Sequence, residues 1–320
     1  MKPLVTGGTG FLGSQLARIM VENGMRPVLL DPAPPRGRLL EVAQEVDHVP
    51  VSLGNPSVLR NAIKGFGVDA VFHLGGMLSM PSELDPVKAF EVNAVGTLNV
   101  LEAARAEGVK LFLYASSIAV YSEDLPSGPI TDATLQRPAT MYGATKVCGE
   151  LLGRFYARRH GLDFRGLRIP SVVGPGSKVP HMSIYNCWAI EEPLKGKPYQ
   201  IPVEPETRCP TIYFKDAARA FWLLAQADAA ALTAKVYNIA SSRPAYSAGE
   251  LAQTVRAYLP QAKLSFQPDP KITSLLQHIG RLDLDDSNAR RQWGWEPRYG
   301  LPAMVEDFIT EFNQYRDCYI

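Results

Sequence analysis

The sequence lacks the features that mark several classes of protein. Its four cysteines are widely spaced and form no CxxC pair, which argues against a metal site and a disulfide framework: Cys148, Cys187, Cys209 and Cys318. No apolar run approaches the length of a membrane span, and there is no block of like charges. The formal net charge is only +1, so we expect neither nucleic acid nor a membrane as a partner. Reduced thiols and the absence of a signal-peptide pattern predict a cytoplasmic location.

The first half of the chain alternates short apolar runs with helical patterns. Strands are predicted at 3–6, 27–30, 46–51, 70–74, 111–115 and 164–169. Helices are predicted between them at 11–23, 56–64, 86–108 and 139–160. This alternation indicates an α/β protein with a doubly wound parallel sheet of the Rossmann type, covered by helices on both faces.

The segment LVTGGTGFLG follows the first predicted strand and opens the first predicted helix. Gly7 allows a tight turn, Gly10 lets the backbone approach a pyrophosphate, and Gly13 lets the helix pack on the strand. The first helical residues, Phe11 and Leu12, belong to a helix N-terminus whose free N–H groups then face the phosphates. Strand, glycine loop, helix and second strand occur in the order that a dinucleotide site requires, which predicts one here.

Asp31 ends the second predicted strand and indicates which dinucleotide binds. A carboxylate there accepts hydrogen bonds from a ribose diol and repels a 2′-phosphate, so we expect NAD rather than NADP. Arg36 and Arg38 could argue the reverse, but they lie beyond two prolines and are expected to be solvated.

Prolines interrupt the pattern from Val172 onward, and this stretch reads as rich in loops. Later helices are predicted at 215–226, 248–258 and 301–314, with a strand at 236–239. We therefore expect residues 1–169, with 211–240 contributing, to form the NAD-binding Rossmann domain. Residues 170–320 should mostly form a smaller, discontinuous C-terminal lobe that binds the substrate.

A serine, a tyrosine and a lysine form the candidate redox site. Ser116 and Ser117 follow a buried strand, and YGATK places Tyr142 four residues before Lys146, on one helix face. A tyrosine pKa near 10 is too high for a base at neutral pH, and a nearby ammonium lowers it. These residues therefore have complementary roles: the serine orients the substrate, the tyrosine moves the proton, and the lysine tunes the tyrosine and holds the ribose.

Four motifs together resemble the extended short-chain dehydrogenase/reductase family, also called the NAD-dependent epimerase/dehydratase family: TGGTGFLG, HLGG at 73–76, ASSIAVY at 115–121 and YGATK at 142–146. The resemblance implies an NAD-dependent enzyme with the catalytic residues Ser117, Tyr142 and Lys146, Ser117 being chosen over Ser116 by its distance from Tyr121. It adds cofactor contacts at Leu53, Leu74, Gly75, Gly76, Asn93 and Pro170. It also implies a homodimer, because the equivalents of the two long helices pair across a two-fold axis in this family.

Further segments resemble the short-chain type of L-threonine 3-dehydrogenases: 77–79, 169–171, 205–220 and 285–301. This resemblance implies a small-molecule substrate, a hydroxy or amino acid with a secondary hydroxyl, with L-threonine oxidised to 2-amino-3-ketobutyrate as the leading hypothesis. The substrate contacts it suggests are Ser79, Ser117, Ile118, Tyr142, Ser171, His181 and Arg208. Ser79 fits a helix cap equally well.

Three alternatives stay open at this level. The segments 192–196 and 205–208 also resemble sugar-acid dehydrogenases such as D-erythronate dehydrogenase. A nucleotide-sugar epimerase, dehydratase or decarboxylase with tightly bound NAD is a second alternative, although Pro170 stands where those enzymes usually carry an asparagine. A non-catalytic NAD sensor is the third, and the intact Ser117, Tyr142 and Lys146 argue against it.

Overall fold

In this computed structural model, the described residues are 1–121, 124–125, 128–179, 181–280 and 282–319, with the side chains of 274, 275, 277 and 278 left out. The strands are β1 Pro3–Thr6, β2 Val28–Leu30, β3 Asp47–Val49, β4 Ala70–His73, β5 Leu111–Ser117, β6 Asp163–Ile169, β7 Ser171–Val173, β8 Tyr199–Ile201, β9 Thr211–Tyr213, β10 Val236–Asn238 and β11 Leu264–Phe266. Seven of these described strands form a parallel sheet in the order β10-β6-β5-β4-β1-β2-β3.

Helices fill most of the connections between these strands. They are α1 Phe11–Glu22, α2 Pro56–Phe66, α3 Ser79–Leu84, α4 Pro86–Ala89, α5 Gly96–Ala106, α6 Met141–His160, α7 Tyr185–Leu194, α8 Phe214–Gln226, α9 Ala248–Tyr258, α10 Pro270–Ile279, α11 Ser287–Trp293, α12 Leu301–Gln314 and α13 Arg316–Tyr319. A π-helical turn at Phe90–Val95 interrupts the long helix predicted at 86–108. Such turns often occur at functional sites, and this one carries Asn93.

Two apolar cores lie on opposite faces of the central sheet. On one face, α1 and α8 contribute Leu16 and Phe221, which pack with Leu113 of β5. On the other face, α2, α5 and α6 cover Phe112 and Phe164. The short hydrophobic strands are buried because helices cover both faces, as in all-parallel sheets generally. The predicted Rossmann-type α/β fold is therefore confirmed.

A third core unites the later part of the chain. It joins α7, α9 and α12 through buried side chains such as Ile190, Leu251 and Phe308. The stretch predicted to be loop-rich thus contains a helix and strands: α7, and β7 and β9, which pair with each other. The prolines hide α7 in the sequence because Pro193 falls in its last turn. None of the described helices is long and apolar enough to cross a membrane.

Candidate active site

The glycine loop packs tightly against the loop that follows β4. Gly7 has a φ of +66°, and a Cβ atom added there would come within 2.9 Å of Gly75 backbone atoms. A Cβ on Gly13 would come within 2.1 Å of the Gly7 carbonyl oxygen. Glycine is therefore needed at both positions, one because of its backbone conformation and the other because α1 lies so close to the loop.

The N-terminus of α1 is open to an anion. Gly10 is its N-cap residue and supplies no side-chain cap, so the N–H groups that follow, including those of Phe11 and Leu12, have no side-chain acceptor there. The helix dipole places partial positive charge at the same point. This arrangement fits a dinucleotide pyrophosphate. Phe11 itself packs against Phe214, with ring centroids 5.5 Å apart.

Asp31 lies directly after β2, close to the glycine loop. Its carboxylate accepts the N–H of Thr9 at 3.3 Å and that of Ala33 at 2.9 Å, which fixes its orientation and leaves lone pairs for a ribose diol. Arg36 is exposed, as expected, but Arg38 is not solvated. Its guanidinium is buried in an ion pair with Glu311 and lies 4.0 Å from the Tyr315 ring centroid.

The loop after β4 connects the cofactor side of the site to α6. The N–H of Gly75 donates to Thr6 Oγ1 at 3.1 Å, and Leu53 lies against Gly75. A Cβ on Gly76 would be 3.9 Å from Lys146 Nζ. The structure therefore brings the predicted residues Leu53, Leu74, Gly75 and Gly76 to the edge of the sheet where Lys146 lies.

Asn93 holds this loop in place. Its Oδ1 accepts the N–H of Met77 at 2.7 Å, and its Nδ2 donates to the Met77 carbonyl at 3.1 Å and to Thr145 Oγ1 at 3.2 Å. We expected Asn93 to approach the nicotinamide side of the cofactor. Its amide joins the loop to α6 by contacting Met77 and Thr145, and its approach to the nicotinamide stays a prediction.

His73 is a buried neutral histidine beneath the same loop. Thr97 Oγ1 donates to the Asn93 carbonyl, so it accepts from His73 Nε2 at 2.9 Å, and Nδ1 then accepts from Thr6 Oγ1 at 2.7 Å. Burial and the charge of Lys146 lower the pKa of His73 to about 3. The ring therefore supports the loop without adding a charge beneath it.

Tyr142 and Lys146 occupy the first two turns of α6. Lys146 Nζ donates to the Ala115 carbonyl at 2.8 Å and lies 5.4 Å from the Tyr142 ring centroid. Burial lowers the pKa of Lys146 to about 8. Burial also raises the pKa of Tyr142 to about 12, while a hydrogen bond with Ser117 acts in the opposite direction.

These values correct one expectation. The sequence analysis predicted that the ammonium lowers the tyrosine pKa, but in the free protein burial raises the pKa of Tyr142, and the hydrogen bond with Ser117 is the interaction that opposes this rise. Spacing along a helix reveals that the two side chains share a face, and it does not reveal how much water each one loses.

The neighbouring Ser116 belongs to a different cluster. Its hydroxyl donates to Glu150 Oε1, and both residues are buried. Arg168 forms two hydrogen bonds with the Glu150 carboxylate, at 2.8 and 3.0 Å, and a third with Tyr121 Oη at 2.6 Å. Ser117 is free of this cluster, which supports the choice of Ser117 over Ser116 and gives Tyr121 a structural role.

Ser171 and His181 are brought together by a residue that the sequence analysis missed. Ser183 Oγ lies 2.6 Å from Ser171 Oγ and 3.2 Å from His181 Nδ1. Ser171 follows Ile169 by two residues, and Ile169 pairs with Ser117 across β5 and β6. The three polar side chains therefore extend from the strand edge beside Ser117. Burial lowers the pKa of His181 to about 4, so this ring is neutral at pH 7.

The remaining predicted substrate residues, and Pro170 among the predicted cofactor contacts, lie in different surroundings. Ser79 begins α3 and is half-buried, whereas Ile118 and Pro170 are buried beside the ends of β5 and β6. Arg208 has partners of its own in the later part of the chain. Its guanidinium donates to the Ala245 carbonyl at 2.5 Å and pairs with Glu250 at 3.1 Å, at the edge of a cavity of about 380 Å³ that Tyr246 also lines.

Glu83 is a second residue that sequence reasoning missed. Its Oε1 accepts the backbone N–H of Tyr142 at 3.3 Å. Its position four residues after Ser79, on the same side of α3, was a signal that could have found it. Ser183 had a weaker signal, a single serine two residues after His181.

Comparisons with known proteins agree with this geometry. The sequence model of the family described as NAD dependent epimerase/dehydratase matches residues 3–240 of this chain. The mitochondrial L-threonine 3-dehydrogenase of Bos taurus is 31% identical over 318 residues, which cover 96% of this chain and 81% of the relative. An L-threonine dehydrogenase from Cupriavidus necator in its holo form has a TM-score of 0.88 at 29% identity, over 98% of this chain and all of the other.

A further structure is described as a monomeric L-threonine 3-dehydrogenase from a metagenome. It has a TM-score of 0.87 at 28% identity, over 98% of this chain and 99% of the other. The chain belongs to the NAD-dependent epimerase/dehydratase family. The predicted class, an NAD-dependent oxidoreductase of the extended short-chain type, is confirmed.

Proposed function

We propose that this protein oxidises the C3 hydroxyl of L-threonine to give 2-amino-3-ketobutyrate. The observation that carries the proposal is the corner formed by Ser117, Tyr142 and Lys146 beside Gly76, on a chain similar along its whole length to L-threonine dehydrogenases.

We infer that NAD is the cofactor and that the protein's residues fit it. The open N-terminus of α1 would hold the pyrophosphate, Asp31 the adenosine ribose diol, and Lys146 the nicotinamide ribose. When bound, oxidised NAD supplies the hydride acceptor and a positive charge near the phenol. NAD is favoured over NADP because Asp31 repels a 2′-phosphate. Arg38 is paired with Glu311 and is therefore not available to bind such a phosphate, whereas Arg36 is exposed.

The proposed catalytic residues divide the proton chemistry among them. Tyr142 Oη takes the proton of the substrate hydroxyl, and Ser117 Oγ holds the same oxygen. Lys146 favours the phenolate because its ammonium lies beside the ring. The pKa of Tyr142 of about 12 and that of Lys146 of about 8 mean that the reactive form, phenolate with ammonium, is a minor form of the free protein.

The proposed substrate pocket lies between α3 and the polar group Ser171, Ser183 and His181. Ser79 supplies a hydroxyl from the α3 side, and Ile118 an apolar surface. Arg208 is left out of this proposal because Glu250 holds it in the later part of the chain.

Turnover with a panel of substrates tests the proposal. NADH formation is measured with L-threonine, L-serine, D-erythronate and UDP-glucose, with Tyr142→Phe as the control protein. We expect L-threonine to give the highest kcat/KM and the variant to give almost no signal. A strong signal with D-erythronate and none with L-threonine would contradict the proposed substrate.

We also propose a homodimer. Large apolar side chains remain exposed on the adjoining helical segments of α4, the π-helical turn and α6, among them Val87 (72%), Phe90 (49%), Leu151 (58%) and Phe155 (48%). A surface of this kind usually serves an interface. Light scattering of the protein in solution tests the proposed dimer, and a monomeric mass would contradict it. The metagenomic relative is itself described as monomeric.

Two further predictions remain proposals. The division into an NAD-binding part, 1–169 with 211–240, and a substrate-binding lobe within 170–320 is supported by the separate core that joins α7, α9 and α12. The cytoplasmic location is supported by four cysteines that are free among the described residues. Fractionation of the source cells checks the location, since a relative is described as mitochondrial.

A further inference from the structure

Glu83 places a carboxylate beside the catalytic tyrosine. It accepts the backbone N–H of Tyr142 at 3.3 Å and shares one side of α3 with Ser79. The loop before α3 is tied to α6 as well, because Asn93 bridges Met77 and Thr145. The short helix α3 is thus anchored to α6 near both of its ends and forms a wall next to Tyr142.

The charge of Glu83 is not needed to hold α6. Thr140 already caps this helix by accepting the N–H of Gly143 at 3.0 Å. Over the described ranges, no cation pairs with Glu83, and the side chain is exposed. Its neighbour Lys88 pairs with Glu91 instead. The wall beside Tyr142 therefore carries a negative charge that has no cationic partner among the described residues.

We propose that Glu83 binds the α-ammonium of a 2-amino-3-hydroxy acid, and this inference rests on the proposed function. When Tyr142 and Ser117 hold the C3 hydroxyl, the ammonium is on the adjoining carbon, C2. In the proposed complex it faces the wall that α3 forms. A carboxylate pairs with an ammonium through charge-assisted hydrogen bonds. The same carboxylate repels a sugar acid, which brings a negative charge and no ammonium. Glu83 thereby selects amino acids over plain hydroxy acids.

The test compares two ligands that differ only in the ammonium. L-Threonine and (R)-3-hydroxybutanoate have the same configuration at C3, and the second lacks the amine. Glu83→Gln removes the charge but keeps an oxygen that accepts the Tyr142 N–H. Asp85→Asn is the matched control, because Asp85 is exposed, lies two residues away and also caps a backbone N–H, that of Lys88 at 2.9 Å. The KM for L-threonine and the inhibition constant of (R)-3-hydroxybutanoate are measured with the NAD-loaded enzyme.

We expect Glu83→Gln to raise the KM for L-threonine about 10- to 100-fold, the usual effect of losing a hydrogen bond between charged groups. The inhibition constant of (R)-3-hydroxybutanoate should stay the same or fall, and Asp85→Asn should change neither constant. An unchanged KM, or equal weakening of both ligands, would overturn the inference, since Glu83 would then act only through Tyr142.

The proposed function fails separately if the wild-type enzyme does not oxidise L-threonine. In that event, calorimetric titration of the NADH-loaded enzyme decides the inference. Tighter binding of L-threonine than of (R)-3-hydroxybutanoate, lost in Glu83→Gln, supports the ammonium site. Equal binding of both ligands overturns it.

Discussion

Lys146 and Glu150 are both buried charges on α6, one turn apart, but their surroundings differ. The Glu150 carboxylate receives hydrogen bonds from Ser116, Gln136 and Arg168. Among the residues that the structure describes, Lys146 has one hydrogen bond, to the Ala115 carbonyl, and otherwise faces the rings of Tyr114 and Tyr142. The Glu150 carboxylate is fully paired and fixes α6 on the sheet. The Lys146 ammonium can still bind a ligand and take part in proton transfer.

The pKa shifts reflect this difference. Burial alone lowers the pKa of Lys146 to about 8. Burial also acts to lower the pKa of Arg168, but the hydrogen bonds and charge of Glu150 outweigh it, so that pKa is raised. A buried charge with complete partners keeps its ionised form, and one with few partners is displaced toward neutrality. Three predictions test whether the two neighbouring regions have these separate roles, and a fourth concerns Arg208, which lies outside both.

The largest effect is expected for Tyr142→Phe. Removal of the hydroxyl eliminates the proposed base, so kcat/KM for L-threonine should fall at least about 10³-fold, within the range of general acid–base catalysis. The free energy of unfolding should change little, because the ring remains. Steady-state NADH formation and urea unfolding measure the two effects. Activity within tenfold of wild type would remove Tyr142 from the mechanism.

Glu150→Leu is expected to lower the free energy of unfolding, which Tyr142→Phe should leave almost unchanged. The change leaves the Arg168 guanidinium buried without its carboxylate, so the free energy of unfolding should fall by about 3–5 kcal/mol. The double variant Glu150→Leu/Arg168→Met should recover part of this loss, because no unpaired charge remains. Urea unfolding of the three proteins measures it. A double variant that is less stable than the single one would contradict the view that pairing is the main role of this cluster.

The fold and the proximity of Tyr142 to Lys146 could be predicted because they follow local rules. Strands, glycine loop and the spacing of Tyr142 and Lys146 depend on periodicities that short segments carry by themselves. The contacts of Ser183 with His181 and of Glu83 with Tyr142 depend on how distant segments approach each other. The raised pKa of Tyr142 depends on burial, and the π-helical turn within the predicted helix 86–108 depends on how the segment around Asn93 packs. Spacing along the chain carries none of this information.

Lys146→Met should stabilise the protein at neutral pH, in contrast to Glu150→Leu. The pKa of Lys146 falls from 10.5 to about 8 on folding, so a buried ammonium opposes folding in full below pH 8. The free energy by which the buried ammonium opposes folding is about 3 kcal/mol, at 1.36 kcal/mol per pKa unit. It disappears between pH 8 and 10.5 as the ammonium loses its proton. The variant should therefore be more stable than wild type at pH 7, with a smaller difference at pH 10. Urea unfolding at both pH values decides it, and lower stability of the variant at pH 7 would contradict the prediction.

The smallest effect is expected for Arg208→Ala. The sequence suggested Arg208 as a substrate contact, but its guanidinium is held by Glu250 and the Ala245 carbonyl. Because this ion pair is largely exposed, its loss should change the free energy of unfolding by less than about 1 kcal/mol. Since the Ala245 carbonyl and Glu250 already hold the guanidinium, kcat/KM for L-threonine should change less than threefold. A rise in KM of tenfold or more would instead mean that Arg208 leaves Glu250 when substrate binds, and that the pocket extends to the cavity beside Tyr246.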